Sequence, residues 1–256
     1  KYKCERKTRI VGAADKIAVK RADGQRNVSD WSVAITANNS IKFVEQGEFA
    51  FASKKKLTAS APQSLIHKQV VDCGADDTLF CFTNLGNCVK VCPKYAELSE
   101  FRSSGQKFET LVEGIAKGEY AVRMFVCKGG KVPEGELLFF TKQGAVKRSE
   151  WSEYDQGKNV FPAVKLKDGD SLLSVEQYDG DEYSSMLFVT RKGMCLNANK
   201  DSVPVQGRIA VGVKGIALSG DDEVIYATQH TGEGEIIIVT TLGGFKRVVS
   251  STIDPI

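Results

Sequence analysis

The sequence predicts an all-β protein, a propeller-like ring of about five four-stranded blades that occupies residues 1–256 as a single domain. Three observations predict it. First, an apolar strand runs into a threonine, turns within three residues and restarts on basic or apolar residues, five times over. The lines read VAITANNSIKF (33–43), LFCFTNLGNCVK (79–90), LLFFTKQGAVKR (137–148), MLFVTRKGMCLN (186–197) and IIIVTTLGGFKR (236–247). Second, the threonines lie 47, 58, 49 and 50 residues apart. A period near fifty marks one supersecondary unit copied several times, each copy unable to bury its apolar face alone. Third, helical periodicity is scarce: only PKYAELSEF (93–101) reads as one or two helical turns.

Each unit is justified position by position, with the threonine (Thr36, Thr83, Thr141, Thr190, Thr240) as zero. The residues one and three before it are apolar in every copy, Ile35 and Val33 in the first, Val239 and Ile237 in the last. So are those two before, Ala34, Cys81, Phe139, Phe188 and Ile238. An unbroken apolar run of this length, rich in β-branched and aromatic types, is a strand covered on both faces. Position +3 is Gly86, Gly144, Gly193 or Gly243, and Asn39 in the first copy. A tight hairpin needs a positive φ there, which glycine adopts freely and asparagine next best. Position +5 is again apolar, so the returning strand also feeds the core. These hairpins span about 33–44, 79–91, 137–148, 186–197 and 236–248.

A further strand precedes each threonine by about twenty residues: DKIAVK from Asp15, QSLIHKQVV from Gln63, EYAVRMFV from Glu119, DSLLSV from Asp170 and DEVIYA from Asp222. Several follow a Gly-acid step, a turn entering a strand. Connecting stretches such as GKNVFPAVKLKDGD (157–170) and QGRIAVGVKGIAL (206–218) join the units. The N-terminal segment is expected to close the ring beside the last hairpin, which removes exposed sheet edges.

Composition fits a folded chain, with 42% apolar and 26% charged residues. No apolar run is long enough for a membrane span, and the charged start KYKCERKTRI has no signal-peptide core. The missing initiator methionine points to a piece of a longer protein. Seven cysteines (4, 73, 81, 88, 92, 127, 195) include three inside predicted strands, and Cys88 and Cys92 have the wrong spacing for zinc. They read as reduced structural thiols of a cytoplasmic protein, and no metal site is expected. His67 and His230 have no catalytic motif around them. There is no P-loop, no G-x-S-x-G and no H-E-x-x-H. CKGGKVPEG (127–135) reads as a loop rather than a phosphate cradle.

Net charge is only +3, but its distribution is uneven. Basic residues gather at Lys54, Lys55 and Lys56 and beside the turns at Lys42, Lys90, Lys147, Arg148, Arg191, Lys192, Lys246 and Arg247. Acidic residues gather at the strand starts, which would leave the opposite rim unattractive to a polyanion.

WD40 signatures are missing. The T-x-x-G hairpin followed by basic residues resembles instead the C-terminal domain of bacterial type IIA topoisomerase A subunits, those of DNA gyrase and topoisomerase IV. Residues 137–154, 187–225 and 236–248 carry the likeness, including the R-x-x-x-G-V-K-G connector from Arg208 to Gly215. The resemblance implies a β-pinwheel, whose blades exchange strands and whose basic rim bends duplex DNA. Gyrase members carry a glutamine-arginine-arginine-glycine-glycine-lysine-glycine box after the first hairpin. The matching FAFASKKKLTASAPQS (49–64) keeps three lysines but none of the arginines or glycines, which favours the topoisomerase IV-like branch.

The expected DNA contacts are therefore Lys42, Lys54, Lys55, Lys56, Lys90, Lys147, Arg148, Arg191, Lys192, Arg208, Lys214, Lys246 and Arg247. A row of cations at the blade tips would follow a curved phosphate backbone and release its counterions without reading bases. The resemblance further implies that this domain holds no catalytic residue and no cofactor. The parent is an ATP-dependent isomerase whose DNA-cleaving tyrosine, Mg2+ and ATP sites lie elsewhere. Its partners would be double-stranded DNA, a second copy of the same polypeptide in a homodimer, and an ATPase B subunit, in the bacterial cytoplasm at the nucleoid and with no membrane. A rival reading is a protein-interaction scaffold docking through Trp151, Tyr154 and Phe161. An enzyme of the central channel would need polar side chains that the inner strands hardly offer.

Overall fold

The structure is a computed structural model that describes residues 29–58, 60–180, 182 and 185–253. All five expected hairpins form. With strands numbered in chain order, they are β1 (Asp30–Thr36) with β2 (Ser40–Glu45), β4 (Thr78–Thr83) with β5 (Asn87–Val91), and β8 (Glu136–Thr141) with β9 (Ala145–Glu150). They continue with β12 (Ser185–Thr190) and β13 (Cys195–Asn199), then β16 (Glu235–Val239) and β17 (Phe245–Val249).

One turn builds every hairpin. The amide at position +3 donates to the threonine carbonyl at 3.0–3.1 Å in all five copies. That residue has φ between +63° and +84°, Asn39 included. A type I turn closed by a left-handed residue matches the right-handed twist of the flanking strands. The threonine is there for its hydroxyl. Oγ1 accepts the amide four residues on, from Ser40, Asn87, Ala145, Met194 and Gly244, at 2.9–3.2 Å. A valine would pack as well but leave that amide without a partner.

The strands expected ahead of each hairpin are β3 (His67–Gly74), β7 (Ala121–Cys127), β11 (Leu172–Gln177) and β15 (Val224–His230). DKIAVK, the first of that series, lies outside the described residues. These strands do not join the hairpins they precede. Each pairs antiparallel with the hairpin before it: β3 with β1, β7 with β4, β11 with β8, β15 with β12. Short strands from beyond the next hairpin add the other edge. They are β6 (Gln106–Lys107) on β2, β10 (Val160–Pro162) on β5 and β14 (Val213–Lys214) on β9.

The result is three four-stranded sheets, β3-β1-β2-β6, β10-β5-β4-β7 and β11-β8-β9-β14, a three-stranded sheet β13-β12-β15, and the lone pair β16-β17. Four propeller-like blades are thus in place. About five four-stranded blades were expected; among the described residues the last hairpin receives no exchanged strand and the fourth blade only one.

Successive blades meet through β3, β7, β11 and β15, which abut in that order. Gln69 ties β3 to β7 by bonding Met124 N and O at 2.8 and 2.7 Å, and Glu176 on β11 accepts from Gln229 N on β15 at 2.9 Å. This inner rank is more polar than its sequence reading implied. The unbroken apolar strands β1, β4, β8 and β12 are the next rank out, covered on both faces as expected; β16 of the fifth copy departs from the expectation, with Ile237 and Val239 exposed. Phe80, Phe82 and Cys88 of the second blade pack on Leu137, Phe139 and Tyr154 of the third. Helix is limited to α1 (Gln46–Ala52), α2 (Phe108–Leu111) and short 3-10 turns. One of these turns, Pro93–Tyr95, takes up part of the expected helical stretch. None of the helices is long and apolar enough to cross a membrane, among the described residues.

Candidate nucleic-acid interface

The thirteen expected DNA contacts divide by where the exchanged strands put them. Lys42 and Lys147 are buried, at 0% and 1% exposure. Lys42 sits between apolar Ile41 and Phe43 and Lys147 between Val146 and Arg148, and a connecting loop lies over each ammonium. Lys42 Nζ donates to Phe101 O at 2.8 Å. Lys147 Nζ donates to Ala163 O (2.9 Å), Arg208 O (2.6 Å) and Tyr154 Oη (3.2 Å), 4.6 Å from the Phe139 ring centroid. Burial, aided by the nearby Arg208 charge, pulls the Lys147 ammonium down to about 7. Neither lysine can reach a phosphate.

Three more are held half-buried. Lys90 donates to Gln156 O and lies 5.0 Å from the Phe80 ring centroid. Arg148 pairs with Glu136 and stacks 3.9 Å over Tyr178. Arg208 donates to Pro162 O and covers Phe161 at 5.4 Å. The turn cations of the fourth copy are exposed but neutralised, Arg191 by Glu223 and Lys192 by Asp221. Arg247 pairs with Glu235 at 3.4 Å.

The acidic strand starts explain this pairing and correct their expected place on the opposite rim. Because β15 runs antiparallel to β12, its start lies beside the turn that ends β12. Asp222 accepts Lys192 N at 3.1 Å, and Asp170 likewise accepts Gln143 N at 2.9 Å. Acids and turn cations share one end of the blade.

Lys54, Lys55, Lys56, Lys214 and Lys246 are exposed with no carboxylate partner among the described residues. Lys214 belongs to a larger set. It shares a groove of about 640 Å³ with Lys142 and Lys167, between the turns of the third and fourth blades. Every acid lining that groove is already engaged: Asp170 and Asp222 by backbone amides, Asp221 and Glu223 by the turn cations. The three lysines have no such partner among the described residues. The register repeats the arrangement on the first blade, where Lys107 faces Ser40 as Lys214 faces Ala145, both four residues past the threonine. Pro162 takes that place on the second blade, followed by exposed Lys165.

The sequence reading missed Lys107, Lys142, Lys165 and Lys167, because they lie away from the basic clusters in the sequence, and Lys142 and Lys167 meet Lys214 only where the chain segments are brought together in one groove. It also had a signal against Lys42: the run Ile41–Val44 is otherwise wholly apolar. The docking surface of the rival scaffold reading is not on the surface. Trp151 and Tyr154 are 0% exposed and Phe161 is buried with them. His67 packs between Phe49 and Phe101, with burial and Lys42 holding its pKa down. His230 ends β15. The six described cysteines are free thiols, and no three metal-ligating side chains converge among the described residues.

A set of blades that trade strands, with free lysines on the outer strands and connectors, defines a propeller-like basic β protein. Comparison with known proteins gives its family. Residues 135–178 and 184–230 match the family model "DNA gyrase C-terminal domain, beta-propeller". The DNA gyrase A polypeptide of Chlamydia trachomatis is 31% identical over 70% of the chain, and the topoisomerase 4 A polypeptide of Bacillus subtilis is 30% identical over 86%. The chain spans about a fifth of the first and a quarter of the second, 21% and 27% of their lengths. In fold, the chain is similar to the C-terminal domain of a topoisomerase IV (TM-score 0.73, 21% identity, 90% of this chain and 71% of that one). A gyrase A C-terminal domain also aligns (TM-score 0.61, 19% identity, 89% and 74%). The chain belongs to the C-terminal domains of the gyrase and topoisomerase IV A subunits.

Proposed function

We propose that this domain binds and bends duplex DNA along its outer strands and connectors, and presents it to the cleavage core of a type IIA topoisomerase. Support comes from the groove lined by half-buried Lys142 and exposed Lys167 and Lys214, whose lining acids Asp170, Asp221, Asp222 and Glu223 are all engaged. Each lysine that reaches a phosphate releases a condensed counterion. No base-reading element accompanies them, so binding is sequence-tolerant. Contacts spread over successive blades offset the cost of bending, about 1–6 kcal/mol for 20–30 base pairs.

The parent would be the DNA-cleaving polypeptide of an ATP-dependent enzyme, a homodimer that works with an ATPase B subunit. Its Mg2+ and ATP would be bound outside this domain. The lysine-only stretch at 54–56, without a gyrase-type box, favours the topoisomerase IV branch.

The test is binding and bending together. A duplex of about 40 base pairs with dyes at both ends should bind at low salt, lose affinity steeply between about 50 and 200 mM salt, and bring its ends closer. Absence of binding at the lowest salt refutes the proposal. Binding without a change in end-to-end distance refutes bending.

A further inference from the structure

Three interior lysines repeat one contact. Lys42 Nζ donates to Phe101 O, Lys90 Nζ to Gln156 O, and Lys147 Nζ to Arg208 O. Each of those carbonyls lies six residues before the outer-strand residue that faces position +4 of the same hairpin. Those residues are Lys107 opposite Ser40, Pro162 opposite Asn87, and Lys214 opposite Ala145. The donor sits at +6 in the first and third blades and at +7 in the second. The connector that delivers each outer strand is thus held at the same point, by a lysine rooted in the blade it joins.

The hold is tight. In the first and third blades a glycine two residues before the outer lysine lets the connector lie on the pinned strand. A Cβ on Gly105 would meet Ile41 O and Lys42 Cγ at 2.9 Å, and one on Gly212 would meet Val146 O and, at 3.1 Å, Lys147 Cβ. Lys147 holds a second connector as well. Ala163 O accepts from it at 2.9 Å, two residues before exposed Lys165, while Ala163 N bonds Gly86 O of the second blade at 2.7 Å. A carbonyl sealed from water is costly to leave without its donor, so each pin resists displacement. We propose that Lys42, Lys90 and Lys147 are positioning residues for DNA binding, interior pins that set where the outer lysines of each connector meet the phosphates. This role rests on the DNA-binding function, and it gives three lysines expected as contacts a part to play without contact.

A double-mutant cycle on duplex binding tests this, with the 256-residue chain at about pH 8. There the Lys147 amine, pulled down to about 7 by burial, is largely neutral yet still donates to two carbonyls. Its loss is then not a loss of attraction for phosphate. Lys147→Met should weaken binding about three- to tenfold and flatten the log–log salt slope by up to about 0.9 per outer lysine displaced. Added to Lys165→Gln, Lys167→Gln and Lys214→Gln, it should cost almost nothing more, because the cations it sets are already gone. A purely structural residue would weaken both backgrounds alike. Should Lys147→Met fail to fold, Lys90→Met at its half-buried site runs the same cycle against Lys165→Gln. Unchanged affinity and slope, or losses that simply add, overturn the positioning role while DNA binding stands. An unmodified chain that binds no duplex at low salt removes both.

Discussion

A lysine ammonium sealed among main-chain oxygens is a costly staple, and this protein uses one at Lys147. Its three acceptors belong to the strand of the second blade's edge, to the connector after the fourth hairpin, and to Tyr154. These bonds therefore tie two exchanged segments, at Ala163 and Arg208, to the third hairpin at one point. The ammonium's pKa falls from 10.5 to about 7 on folding. Between those values the unfolded chain binds the extra proton, so stability contributed by this group rises with pH; below 7 both states are charged and the slope vanishes. The buried thiols act in the opposite sense: Cys73 and Cys127 are pushed up to about 12, so folding weakens once unfolded thiols begin to ionise near 9. The clean window is pH 7 to 8.5. Denaturant midpoints there should rise by the equivalent of about 1–2 kcal/mol in the unmodified protein, and Lys147→Met should flatten that rise. An equal rise in the variant would place the titration elsewhere.

The hairpin, as an element, is the part most legible in sequence. Its threonine, its left-handed residue and its flanking apolar runs each answer a local requirement, and all five copies fold as those residues demand. Strand partners were not legible. The strand before a threonine could satisfy its hydrogen bonds on either neighbouring hairpin, and in the first three blades the opposite edge is filled by a later unit's connector. That connector leaves a trace at the turns. A Cβ on Gly144 would meet Ile216 Cγ2 at 2.6 Å, and one on Gly86 would meet Val164 O at 2.8 Å, whereas Gly193 has open space. All three have φ near +80°. Gly193→Ala should therefore cost only the left-handed penalty, about 1–2 kcal/mol. Gly144→Ala should add about 1–3 kcal/mol of overpacking. Thermal or urea unfolding of the two variants distinguishes them; equal losses would mean that the connector yields freely.

At the scale of the whole molecule, strand exchange decides which charges are available. It buries Lys42 and Lys147, sets acids beside Arg191 and Lys192, and gathers Lys142, Lys167 and Lys214 from three separate segments into one groove. The family and the all-β repeat could be read from the sequence for this reason: the hairpins are local. The available cations could not, because their availability depends on distant chain segments, as in Gln143 with Asp170, 27 residues apart, and Lys147 with Arg208, 61 apart. The most direct test is the salt dependence of duplex binding for two variants. Lys107, Lys165, Lys167 and Lys214 changed together to Gln should flatten the log–log slope by up to about 0.9 per lost phosphate contact. Arg191→Gln with Lys192→Gln should leave the slope as it was. The reverse result, a slope that depends on the paired turn cations and ignores the outer lysines, would contradict the account.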